Sequence, residues 1–125
     1  MQEPTSQFPV GVHVGPGARQ VIRTANPAVA SLLRRYLQLI EGFARRERVA
    51  VLKTRVGAYH DPDEDSDQLL VSQRVKLPEE AAMDYWDRLG TEVENWVGQL
   101  DPEAAELVSE WIALEVRPGA ADEAA

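Results

Sequence analysis

The sequence has no cysteine. That excludes disulfides, thiolate chemistry and cysteine-held zinc or iron–sulfur centres, and it fits a reducing compartment. It has only two histidines, His13 and His60, so histidine-based acid–base or metal chemistry has few places to sit. It has two lysines against eleven arginines, and eight aromatic residues in all. No apolar run approaches the length of a membrane span, so no membrane partner is expected. The opening residues carry Glu3, Pro4 and Pro9 and no basic segment followed by an apolar one, which leads to the expectation of a cytoplasmic protein without a secretory leader.

Motifs are also missing. The glycines at 11, 15 and 17 lack the lysine and spacing of a phosphate loop, and Pro16 removes a backbone donor such a loop uses. The serines at 31, 66, 72 and 109 have no nucleophile context. No catalytic residue and no cofactor is assigned, and the chain reads more as a binding protein than as an enzyme.

What the chain does have is an uneven distribution of charge. Residues 1–60 hold nine basic and three acidic residues, and residues 61–125 hold four basic and eighteen acidic. The net charge is −8. Such a split points to a molecule with a basic and an acidic face, and it bears on partners more than on a reaction.

At 125 residues the chain is long enough for one core. Residues 1–9 read as a flexible lead-in, 10–117 as a single α+β domain and 118–125 as a disordered acidic tail. Alternating valines at 10, 12 and 14 suggest a short strand, and 20–23 a second extended piece. Asn26-Pro27 marks a helix start, because asparagine caps free amides and proline at the first position has no N–H to lose. The helix runs over about 27–46, with Val29, Leu33, Tyr36, Leu37, Ile40, Phe43 and Ala44 in one stripe. Two extended segments, about 48–59 and 68–77, form an antiparallel hairpin, with a bulge expected at Gly57. In the second, Leu69, Val71, Val75 and Leu77 alternate with Ser72, Arg74 and Lys76, as in a half-buried strand.

A second long helix covers about 79–100, and Asp101-Pro102 opens a shorter third one over about 102–112. A strand over 113–116 closes the domain. The expected architecture is a small antiparallel sheet centred on the hairpin and packed against these helices. The valine-rich stretch at 10–14 or the C-terminal strand would supply an edge. No internal repeat is visible.

Three places invite a functional reading. The acidic segment with His60, Asp61, Asp63, Asp65 and Asp67 is a candidate for a hard divalent cation, which wants several oxygens. Ser66 and Ser72 stand where a calcium loop needs glycine and a bidentate glutamate, and a solvated hairpin loop is the plainer reading. The flank of the first long helix carries Arg34, Arg35, Arg45, Arg46 and Arg48, a candidate grip for nucleic acid or an acidic protein; the plainer reading is a solvated face partly paired with helix 79–100. Trp86 is expected in the core. Tyr85 and Trp96 are expected at the edge of the second helix, where with the acidic residues Asp84 and Asp87 they would meet a partner. The functional expectation is a protein-interaction or regulatory module, acting as a homodimer on a macromolecular partner. The alternatives are a small-ligand or metal-binding protein at loop 60–67, and nucleic-acid binding through the arginines.

Overall fold

A computed structural model describes residues 8, 9 and 11–119. The lead-in and the acidic tail therefore fall almost wholly outside the described residues. Eight elements follow in order: β1 (Val12–Val14), α1 (Pro16–Thr24), α2 (Pro27–Arg46), β2 (Val51–Asp61), β3 (Ser66–Val75), α3 (Glu79–Val97), α4 (Pro102–Trp111) and β4 (Ile112–Pro118). The fold is α+β, as expected.

The strands form one sheet in the order β1-β2-β3-β4. The hairpin β2–β3 is antiparallel at its centre, with β1 and β4 added as parallel edges. The sheet is therefore mixed, and both candidate edge strands are used. The irregularity in the hairpin falls between Val51 and Lys53 and not at Gly57, which pairs regularly with Leu70.

The stretch 20–23 is helical, not extended. Gly15 caps α1 and Pro16 occupies its first turn, so the Gly-Pro-Gly run starts a helix instead of ending a strand in a turn. Ala18, Val21 and Ile22 then share a buried face.

The caps of the longer helices follow local chemistry. The Asn26 side chain accepts a 2.9 Å bond from the Ala28 amide, and Asp101 accepts one of 3.0 Å from Ala104. At the end of α2, the Arg48 amide donates to the Arg45 carbonyl and the Val49 amide to that of Ala44. This paired arrangement requires a left-handed residue, and Arg48 supplies it at φ 57°.

One face of the sheet is covered. Val56 on β2, Leu69, Val71, Gln73 and Val75 on β3, and Ile112 and Val116 on β4 are buried beneath the helices. A Cβ placed on Gly17 of α1 would lie 3.3 Å from that of Ala58, on this same face. Phe43 of α2 stacks at 5.8 Å on Tyr85 of α3, and Tyr85 reaches Gln73 on β3. All four helices thus lie on one side.

Each half of the chain reads strand–helix–helix–strand with parallel strands. The two halves step across the sheet in the same direction, but their strands run oppositely. Two connections over one face then have opposite hands, and one of them is left-handed against the strong general preference. The common element order is no duplication, in line with the absence of a sequence repeat.

Candidate functional site

The other face of the sheet carries no helix. Period-two alternation sends His13, Lys53, Arg55, Gly57, Tyr59, Gln68, Leu70, Ser72, Arg74, Ala113, Glu115 and Arg117 toward it, and the strand register sorts them into rows. Lys53 pairs with Arg74 and Arg74 with Arg117, so three cations stand side by side across β2, β3 and β4. The next row holds His13, Arg55, Ser72 and Glu115. Beyond it come the small or apolar Gly57, Leu70 and Ala113, and then Tyr59 and Gln68.

Strands lie about 4.8 Å apart, so the cationic row spans roughly 10 Å. Like charges directly opposite each other on neighbouring strands repel. Among the described residues the one carboxylate on this part of the face is Glu115, which accepts a 3.0 Å bond from Arg117 Nε and another from the Ser72 hydroxyl. Among the described residues no acid pairs with Lys53, Arg55 or Arg74. A shallow depression of about 250 Å³ lies over Gly57 and Ser72, walled by the four cations and Glu115. Its donors suit a carboxylate or another oxyanion.

Nothing in the sequence alone singles out this face. The alternation of Ser72 and Arg74 is visible there, but the juxtaposition of residues 53, 74 and 117 depends on the register of three strands.

The residues that the sequence does single out lie elsewhere. The expected loop 60–67 is shorter in the structure, a turn over 62–65 with His60, Asp61 and Asp67 in the strands, and Asp61 Oδ1 accepts bonds from the amides of Asp63 and Glu64, which closes the turn. Asp65 sits at φ 52°. His60 Nδ1 lies 2.9 Å from Asp67 and Nε2 lies 3.2 Å from Asp65. The hydrogen bond to Asp67, helped by both carboxylate charges, raises the histidine pKa above its usual value. Among the described residues no group of three His, Asp or Glu side chains is arranged to hold a metal ion. Asp61 thus serves the turn, and Asp65 and Asp67 the histidine.

The arginine flank of α2 is largely occupied within the chain. Arg45 pairs with Glu41 at 2.6 Å and Arg46 with Glu92 of α3 at 2.5 Å. Arg35 lies over the Trp96 ring at 5.6 Å, Arg34 is half-buried, and Arg48 closes α2. Arg88 of α3 bridges Glu47 and Asp84.

The aromatic edge is rearranged. Tyr85 is fully buried and cannot meet a partner, because its side of α3 faces β3 and α2. Trp96 is half-buried, edge-on to Tyr36 at 6.0 Å. Trp86, expected in the core, is 36% exposed, and Met83 beside it is 59% exposed. Asp84 and Asp87 are exposed.

A second cavity, of about 370 Å³, lies where the short β1 leaves the start of β2 uncovered; Leu37, Ile40, Val49, Val51 and Gln73 line it. No protein-family model, curated protein or solved structure matches this chain.

Proposed function

We propose that the chain is a binding module that holds an extended acidic segment of another protein on the open face of its sheet. The observation that carries this reading is the row Lys53–Arg74–Arg117. Three cations in cross-strand register repel one another, and an anion laid over them removes that cost.

The acidic total of the chain does not oppose such a partner. The exposed carboxylates of α3 and α4 lie behind the sheet. A helix is about 10 Å across and charges act over about 8 Å at physiological salt, so those carboxylates are largely screened from the open face.

A protein segment fits better than nucleic acid. Four cations and one carboxylate occupy one end of the face, and an apolar strip of Gly57, Leu70 and Ala113 follows. The strands then end in Asp61 and Asp67 and the turn between them carries Asp63, Glu64 and Asp65. A polyanion tracking along the strands would meet that turn and be repelled. A segment with a few carboxylates followed by small apolar residues would not.

The test is a titration of isotope-labelled protein with a hexaglutamate peptide, followed by NMR and repeated with single-stranded DNA. Shifts confined to residues 53–57, 70–74 and 113–117, weakened by salt and abolished by Arg74→Glu, are the expected result. Peptide shifts on the helices, or tighter binding of the DNA to the same face, would overturn the reading.

A further inference from the structure

A different surface runs along the outer edge of β4. This strand ends the sheet, and among the described residues no strand pairs with its far side. Alternate residues of this seven-residue strand therefore present unpaired backbone groups on its outer side, with Pro118 lacking a donor, the kind of edge that recruits another strand.

The helix above it exposes two large apolar residues on the same side. In α3, Ala82, Tyr85 and Leu89 point into the core. At 100° per residue, Arg88 and Glu92 fall on one flank, and both pair with α2, through Glu47 and Arg46. Met83, Trp86 and Gly90 fall on the opposite flank, with Glu79 of the first turn on the same side. That flank lies away from α2, and α3 itself packs over β4. The exposed Met83 and Trp86 thus overhang the free sheet edge. A Cβ on Gly90 would meet nothing within 4 Å, so the flank is open for close approach.

We infer that β4 pairs with β4 of a second copy, antiparallel about a two-fold axis at Val116, to form a continuous eight-stranded sheet. The strand is self-complementary in this register. Glu115 stands opposite the partner's Arg117, and Arg117 opposite the partner's Glu115, an isologous pair of cross-strand charges. An axis perpendicular to the sheet keeps both helical layers on the same side. Trp86 and Met83 of the two copies then approach each other and leave water. This charge reciprocity is what favours a second copy over a strand from another protein. The open faces also become continuous, with the two Glu115–Arg117 pairs flanking the axis.

The test is sedimentation of the full chain across the micromolar range, with charge-exchanged variants. The wild-type protein is expected to be a dimer. Glu115→Lys sets a lysine against Arg117 across the axis, and Arg117→Glu sets two glutamates against each other there, so each variant alone dimerises at least about tenfold more weakly. An equimolar mixture of the two restores a heterodimer, because each lysine or arginine then faces a glutamate. Trp86→Glu, with circular dichroism to check that it folds, is also expected to yield a monomer. A wild-type monomer throughout the range overturns the inference. So do single variants that remain dimeric, or a mixture that fails to recover the dimer while both components are folded. None of these outcomes depends on the acidic-segment reading, which is scored by peptide shifts on the open face.

Discussion

The Tyr85 hydroxyl donates a 3.0 Å hydrogen bond to Gln73 Oε1, and this bond ties α3 to the covered face of β3. Gln73 is the one buried polar residue of that face among the described residues, 1% exposed between Val71 and Val75. Burying an amide without a partner is costly, so the tyrosine is what makes the glutamine tolerable there.

The pair should therefore behave asymmetrically. Tyr85→Phe leaves the glutamine acceptor buried and unsatisfied, and it is expected to cost about 1–3 kcal/mol. Tyr85→Phe combined with Gln73→Leu removes both polar groups and is expected to recover most of that loss. Urea unfolding of the two single variants and the double variant measures the coupling. If the two substitutions simply add, the bond is not what holds Gln73.

Much of this core is readable from sequence because local signals agree. The Asn26-Pro27 start and the stripe from Val29 to Ala44 mark α2 to within a residue, and the alternation at Leu69, Val71 and Val75 marks the buried side of β3. Other features depend on distant parts of the chain. Trp86 lies within the apolar stripe of α3, but the sheet stops at β4 and leaves that flank without a floor. Tyr85, just outside the stripe, is buried because α2 and β3 close over it. α1 is hidden because nine residues starting Pro-Gly resemble a turn until Val14 and Gly15 have been placed against β2. The cationic row cannot be read at all, since no local pattern specifies that residues 53, 74 and 117 share a rung.

His60 offers a pH-dependent cross-strand contact at the end of the hairpin. Its hydrogen bond to Asp67 and its proximity to Asp65 raise its pKa in the folded state. A raised histidine pKa adds stability that is fully present below the ordinary value near 6.5 and is lost as pH rises through the folded value. The loop should therefore be better ordered in mild acid than in mild alkali. An NMR titration of the imidazole is expected to give a midpoint above that of a free histidine, and Asp67→Asn is expected to lower it. An unchanged midpoint in Asp67→Asn would show that the contact is not formed in solution.

Arg48 holds a backbone conformation that suits glycine. Its φ of 57° is imposed by the bonds from Arg48 to Arg45 and from Val49 to Ala44 that end α2. A side chain in the left-handed region costs about 1–2 kcal/mol, and glycine avoids that cost but loses backbone entropy on folding. Arg48→Gly is expected to stabilise the protein by about 1 kcal/mol, read as a higher urea midpoint with an unchanged slope. Arg48→Val, β-branched at the same position, should destabilise it. A neutral effect from both substitutions would mean that the helix end relaxes freely around residue 48.

The cationic row makes a prediction about the protein alone, before any partner is found. Arg74 stands between Lys53 and Arg117 on adjacent strands and has no acid of its own among the described residues. Each like-charge neighbour costs a few tenths of a kcal/mol up to about 1 kcal/mol. Arg74→Gln keeps a long polar side chain and removes both repulsions, so it should raise stability by about 0.5–1 kcal/mol at low ionic strength. The gain should shrink as salt is added, since these charges are exposed and screened. It should also shrink when hexaglutamate is present, because the anion stabilises only the chain that retains the full row. Urea unfolding of both proteins at low salt, at high salt and with the peptide separates these effects. A stability gain that ignores salt would point to packing at position 74 and not to charge. A loss of stability would mean that the three cations do not repel, and an anion on the open face would then relieve no cost.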